Sequence, residues 1–401
     1  MRTKNLQITI FCIAGITSVT TAIAQVTCAT AETTFTLPGQ QTIGAWQNPG
    51  FWDYGSPSST KTACIPSGLT AVVYENYCSG GSAAYTECDP DFNCPGGTCV
   101  GAACAGGSRN QLECDCPSST CVTDNEVVAE AVAVDGEVWV KLGNDLRGSS
   151  LSIYQDSEVT GTLKIWGRSE LRIANDVTIS GDGTVLMEYV EGTCALGQGF
   201  LNPVGTCDGG TKDGLPCGPC NWADFFAPCP GGTCVPPDPL PVLTLEPDGG
   251  NPANLEMRGA WHTCVPIENN GTIAADDKDN HTIIARDGNS GTGFWIAEED
   301  PLADDDEFTT MRIQGTFLSG TIKSLDAKGI VEINVPMSSF AGVLDLTNGT
   351  IEVNEDLSGS FDVLGTGGLL KLDADVDTSG DLEFDGGGTI VLTIGHVAAF
   401  D

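Results

Sequence analysis

Positively charged side chains are scarce in this chain: 17 lysines and arginines stand against 54 aspartates and glutamates, a formal net charge of −37 over 401 residues. So acidic a surface repels phosphate backbones and anionic lipid, which excludes nucleic acid and anionic membranes as partners. Long apolar runs are missing too. Beyond the N-terminal stretch through Ile8, Ile10, Phe11, Ile13 and Ile16, no segment approaches the ~20 apolar residues that span a bilayer. There is no Gly-x-Ser-x-Gly elbow, no His-Glu-x-x-His pair and no phosphate-binding glycine loop, so hydrolase and nucleotide chemistry have no motif to rest on. His262, His281 and His396 are isolated. Helical periodicity is confined to one short candidate at 125–134.

Cysteine and glycine are abundant instead. The N-terminus reads as a cleavable secretory leader over residues 1–24, with Arg2 and Lys4 before the apolar stretch and Ala22-Ile23-Ala24 at its end. Removing the leader leaves 15 basic residues against 54 acidic ones, 15 − 54 = −39. It also takes Cys12, and the other cysteines then belong to a compartment where thiols oxidise.

Twelve of them fall into three units of repeated spacing. These are Cys78, Cys88, Cys94 and Cys99; Cys104, Cys114, Cys116 and Cys121; and Cys207, Cys217, Cys229 and Cys234. Four cysteines allow three pairings, so the spacing predicts two bridges per unit and leaves their connectivity open. Cys28, Cys64, Cys194, Cys220 and Cys264 remain, an odd number, which predicts one thiol that is free or paired between molecules. Cys217-Gly-Pro-Cys220 has the spacing of a dithiol redox site. It lacks a βαβ context and overlaps the third unit, so it reads as a structural bridge.

Between and after the cysteine units the text is strand-like. Leu163-Lys-Ile165, Leu171-Arg-Ile173, Ile330 to Val335, Val343-Leu-Asp-Leu346, Thr350-Ile-Glu-Val353 and Leu369-Leu-Lys-Leu372 alternate apolar and polar residues, and in the later half they recur every nine to eleven positions with glycine between them. This predicts an all-β chain, a parallel β-helix whose coils stack inward side chains on one another, with the disulfide-rich units inserted. The inward row runs from Val331 and Ile333 to Ile390 and Leu392. An antiparallel β-sandwich is the alternative, disfavoured because hairpin dipeptides such as Asn348-Gly349 are few. The expected divisions are a β segment or cap at 25–77, two cysteine units at 78–121, solenoid at 122–193, the third unit and a Pro-rich linker at 194–241, and solenoid again at 242–401.

The stretch Trp46-Gln-Asn-Pro49-Gly-Phe-Trp52, followed by solenoid periodicity, resembles the opening of bacterial secreted parallel, right-handed β-helix exoproteins and autotransporter-like passenger domains. That resemblance implies an architecture and an extracellular or cell-surface location more than an activity. Its scaffold also hosts polysaccharide lyases and glycoside hydrolases, which need paired carboxylates or a calcium ion beside a base.

Carboxylates are too common here to mark such a site, and no catalytic residue is assigned. The candidate calcium ligands are Asp373, Asp375 and Asp377, at alternate positions, and the loop residues Asp276, Asp277 and Asp279. The outward carboxylates Glu332, Asp345, Glu352, Asp362 and Glu383 would repel one another if stacked without cations. Trp222, Phe225 and Phe226 are candidate glycan contacts, while Trp46, Phe51, Trp52 and Tyr54 read as a cap on the solenoid end. The expected function is a non-catalytic secreted or surface spacer that requires no cofactor, has calcium as an optional ligand and takes matrix or surface polysaccharide as its partner. A polysaccharide-acting enzyme and a carbohydrate-binding adhesin are the alternatives.

Overall fold

The computed structural model describes residues 26–74, 126–141, 149–188 without 168, 199–210, 231–277, 281–299, 308–384, 388–392 and 397–400. It also places 213–214, 216–217 and 229, and the backbone of 76–78, 97–100, 103–106 and 121–123. The leader, Cys88, Cys94, Cys114, Cys116, Cys194, Cys220, Trp222, Phe225, Phe226 and Asp279 lie outside the described residues.

The chain is a parallel β-helix with three faces. One face is a seven-stranded sheet running from Thr33–Thr34 to Ile267–Asn269, the second a fifteen-stranded sheet that begins at Ile43–Ala45, and the third an eleven-stranded sheet from Glu126–Ala129 to Thr389–Leu392. Within these sheets the strand pairings are parallel, for example Val331↔Ile351 and Ile351↔Leu370. The antiparallel sandwich is thereby excluded. The helix candidate at 125–134 is instead two strands, Glu126–Ala129 and Val132–Val134, because its valines and alanines point alternately into the stack.

A full coil is about twice the spacing read from sequence. Partners on the short corner strands are Met337↔Leu357, Leu357↔Val376 and Val376↔Ala398, which are 20, 19 and 22 residues apart. The nine-to-eleven-residue period reflects two faces of each coil. The remaining strands, such as Leu357–Gly359 and Val376–Thr378, are three residues long and too short to stand out.

Inward residues form one apolar column. Val331, Ile333, Leu344, Leu346, Ile351, Val353, Phe361, Val363, Leu370 and Leu372 are all buried. Leu382, Ile390 and Leu392 continue the same rows in register, yet are 37–43 % exposed, since no described coil lies on them. At the other end Phe35, Trp46 and Trp52 pack edge to face and are at most 4 % exposed. Cys28–Cys64 ties that end together. The Trp46–Trp52 segment is therefore a cap, although Tyr54 stands out into solvent at 75 % exposure.

Coils approach so closely at one corner that side chains are excluded. A Cβ on Gly161 would lie 2.0 Å from the carbonyl oxygen of Gly136, and one on Gly183 would lie 2.4 Å from that of Gly161, so glycine occupies this corner on three successive coils.

The cysteine units leave the stack as antiparallel excursions. Gly205–Asp208 pairs with Pro216–Cys217 and Thr233–Val235. Its bridges are Cys207–Cys229 and Cys217–Cys234, first to third and second to fourth, which resolves the three possibilities for this unit. Gly199–Pro203, just before it, is a rung of the solenoid itself. In the first two units, Asn76–Cys78 pairs with Cys121–Thr123 and Gly97–Val100 with Ala103–Gly106. Cys78 thus sits opposite Cys121 and Cys99 opposite Cys104, so the backbone of one unit pairs with that of the other. Among the leftover cysteines, Cys28, Cys64 and Cys264 are all disulfide-bonded. Among the described residues no helix is long and apolar enough to cross a membrane.

Stacking makes a sharp prediction for neighbouring positions of one strand. Ile351→Ala should lower unfolding stability by about 2–5 kcal/mol, whereas Glu352→Ala on the outer face should cost no more than about 1 kcal/mol. Chemical denaturation measures both, and equal losses would contradict the inward column. Gly161→Ala should lower the melting midpoint although it adds only a methyl group.

Candidate functional site

The outer faces carry the chemistry, and there the few basic residues meet carboxylates from adjacent coils. Arg172 stands on a strand beside Glu170, the coil before it supplies Ser152, and the coil before that supplies Glu126. Its Nε donates to Glu170 Oε2 at 2.6 Å, a second guanidinium nitrogen lies 3.3 Å from Glu126 Oε1, and Ser152 Oγ donates to that same oxygen at 2.8 Å. Arg172 and Glu170 are buried. Burial alone would lower the arginine pKa, but Glu170 and then Glu126 outweigh it and hold the guanidinium above its ordinary value. Tyr154 lies nearby, and burial followed by the Glu126 charge raises its hydroxyl pKa.

Arg258 organises a second cluster on the fifteen-stranded sheet. Nε donates to Asp276 Oδ2 at 2.9 Å, one terminal nitrogen to Glu256 Oε2 at 3.1 Å and the other to Glu298. The three carboxylates come from three successive coils. Glu298 is pushed above the usual carboxylate range by burial, with Arg258 pulling it back and Asp276 and Glu256 adding to the rise. A glycosidase also needs two carboxyl groups, but they must face an open space holding the sugar. Here all three face one guanidinium, one carboxylate to each of its nitrogens. Chemically the cluster is a brace across coils.

The same arrangement recurs with single pairs. Arg312–Glu332 at 2.8 Å, Lys323–Asp345 at 2.9 Å and Lys371–Glu352 at 3.3 Å each join adjacent coils. Glu332 and Glu352 do lie side by side in register, as the sequence period predicts, but the column reads Arg312, Glu332, Glu352, Lys371. Side-chain cations flank the repelling pair.

The proposed calcium ligands are dispersed by the fold. Asp373, Asp375 and Asp377 keep the expected outward alternation against buried Leu372, Ala374 and Val376. The strand, however, ends at Leu372 and resumes at Val376, so a corner separates them. Asp373 lies 3.4 Å from Lys371, and Asp375 Oδ1 accepts from the backbone of Val397 at 2.9 Å. Asp276 faces Arg258, and Asp277 stands in the loop beside it. Asp356, Asp375 and Asp377 line a shallow depression on the last coils, where Asp356 Oδ1 accepts from the backbone of Asp375 at 3.2 Å. Among the described residues, three potential ligand atoms converge at Cys207, Cys217 and Cys229, whose sulfurs are held in disulfides.

His262 is buried, stacked on Phe200 with ring centroids 6.2 Å apart. Burial first, and then the Arg286 charge, lower its pKa from 6.5 to about 4. Arg172, Arg258 and Arg312 stand in no catalytic motif of the sequence. The available signal was Glu-x-Arg on one strand, at Glu170–Arg172 and Glu256–Arg258, which puts both side chains on the same face. The chain matches no protein family, no curated protein and no solved structure.

Two measurements follow. Arg172→Ala leaves the buried Glu170 without its cation beside Glu126 and should cost about 3–5 kcal/mol, far more than Arg312→Ala at a half-exposed pair. For His262 the folded-state pKa is below the unfolded one, so protons favour unfolding, and its contribution is intact above pH 6.5 and lost as pH falls toward about 4. His262→Gln should remove roughly 3 kcal/mol of that acid-side loss, and parallel pH–stability curves for the two proteins would contradict the assignment.

Proposed function

We propose that this protein is an exported, non-catalytic structural element, a stiff disulfide-braced spacer at a cell surface or in secreted matrix. The observation that carries this reading is the unbroken apolar column running from the Phe35–Trp46–Trp52 cap through successive coils to Val376. Each coil packs its apolar side chains on the coils before and after it, so length and stiffness grow with coil number rather than with the size of a central core. The ion pairs point the same way. Lys164–Glu188, Arg312–Glu332, Lys323–Asp345 and the Arg258 cluster tie coil to coil along the axis.

Disulfides at Cys28–Cys64, Cys207–Cys229 and Cys217–Cys234 suit an oxidising compartment. They agree with the leader read at residues 1–24. The resemblance to secreted β-helix exoproteins, carried by Trp46–Trp52 and the coil period, belongs to the same proposal. The acidic surface keeps such rods apart from one another and soluble.

The test has two arms. Solution scattering should give an elongated body whose axis is several times its cross-sectional radius of gyration. Incubation with polyuronates and neutral glycans should release neither reducing ends nor unsaturated sugars. Product release from any of them, lost in Glu298→Gln, would replace the spacer with an enzyme acting at the Arg258 cluster.

A further inference from the structure

Six of the seven tryptophans are described, and four of them, Trp46, Trp52, Trp261 and Trp295, are core residues at most 4 % exposed. Trp139 and Trp166 are different. Both are half-buried on the outer face of the fifteen-stranded sheet, on adjacent coils, with ring centroids 6.3 Å apart and planes 38° from parallel. Tyr74 extends the same surface by one coil. Val73, Val140 and Ile165 are in register, so the residues that follow them, Tyr74, Lys141 and Trp166, form one outward column.

Lysines fill the alternate places. Lys164 lies opposite Trp139, with its Nζ 4.8 Å from the centre of the Trp166 ring, and Lys141 Nζ lies 5.6 Å from Trp166 and 5.7 Å from Tyr74. The groups are held in place. Trp139 Nε1 donates to Glu137 Oε2 at 2.8 Å, and Lys164 is 2.5 Å from Glu188. The result is a shallow aromatic surface in which the two lysine ammoniums lie over the Trp166 ring and Glu137 and Glu188 are tied beside them, a fixed arrangement that costs little ordering when a ligand arrives.

We propose that Trp139 and Trp166 form the floor of a binding site for a neutral glycan whose sugars carry equatorial hydroxyls. Three features select that chemistry. Such sugars present a face of C–H groups that packs on an aromatic ring, while their hydroxyls point outward to polar neighbours of the kind Glu137, Lys164 and Glu188 supply. Local charge is balanced, Lys141 and Lys164 against Glu137 and Glu188, so nothing in the patch draws a polyanion, and the chain's net charge of −37 repels one. Finally, coils repeat every ~4.8 Å, close to the rise of one hexose in an extended chain. A glycan laid along the solenoid axis meets successive aromatic groups with successive sugars. The site would anchor the rod laterally to a polysaccharide while its coils set the spacing.

The experiment titrates the full chain with cellohexaose, chitohexaose and polygalacturonate at 0.15 M salt, read by calorimetry and tryptophan fluorescence. At least one neutral hexasaccharide should bind with a sub-millimolar Kd. Trp139→Ala should weaken it at least tenfold at an unchanged melting temperature, Trp139→Phe should retain most of the affinity, and Phe308→Ala, at an exposed position elsewhere, should retain all of it. Trp166 packs between two lysines and its loss risks the local fold, so the two Trp139 variants decide the matter. Absence of binding to both neutral sugars at millimolar concentration overturns the proposal, as does wild-type affinity in Trp139→Ala. Tighter binding of polygalacturonate than of either neutral sugar overturns the ligand class. None of these outcomes depends on whether the protein is a spacer, which scattering and product release decide separately.

Discussion

A coil of a parallel β-helix satisfies almost nothing by itself. Its backbone N–H and C=O groups point along the axis to the coils before and after, and its inward side chains have only those coils to pack on. Everything else in the chain is arranged so that one coil can lie flat on the next. The glycines at 136, 161 and 183 let backbones meet at a corner where a Cβ would collide. At the first described coil, Phe35, Trp46 and Trp52 close the stack and the Cys28–Cys64 bridge fixes the closure. Long excursions are tolerated because the stack resumes in register after them, as Val177↔Leu243 shows across the third cysteine unit.

The acidity has a structural part within this scheme. Corner aspartates reach forward one coil and accept its backbone N–H. Asp156 Oδ1 accepts from Thr178 at 2.7 Å, Asp176 Oδ1 from Val242 at 2.9 Å, Asp287 Oδ1 from Thr316 at 2.9 Å and Asp362 Oδ1 from Asp381 at 2.9 Å. A carboxylate in that role satisfies a turn donor that no strand can reach. Other carboxylates surround Lys164, Arg172, Arg258, Arg312, Lys323 and Lys371, so each of these cations joins two or more coils. Burial decides how much these matter: Arg172 and Glu170 are buried and depend on one another, while Lys371 is exposed enough that screening leaves its pairs little net energy.

Much of the fold was legible in the sequence because its dominant force is written locally. Alternation at Val331–Ile333, Ile351–Val353 and Leu370–Leu372 names the buried face of each strand without any knowledge of its neighbours. The short corner strands were not legible, since strands of three residues such as Leu357–Gly359 carry too little alternation to register. The outer-face sites were harder still. Whether Arg258 meets Asp276 and Glu298, or Trp139 meets Trp166, depends on which residue of one coil lies over which residue of the next, and irregular corners and insertions shift that count from coil to coil. The cysteine spacing likewise revealed the repeat but not that Cys78 lies opposite Cys121, because that pairing crosses from one unit into the other.

The central claim is parallel stacking of coils, and methyl-to-methyl nuclear Overhauser contacts in isoleucine-, leucine- and valine-labelled protein test it most directly. The structure places Val331, Ile351 and Leu370 in one row and Ile333, Val353 and Leu372 in the next. Contacts running Val331–Ile351–Leu370 and Ile333–Val353–Leu372 are the expected result. Crossed contacts, Val331 with Val353 and Ile333 with Ile351, are the signature of antiparallel neighbours and would contradict it.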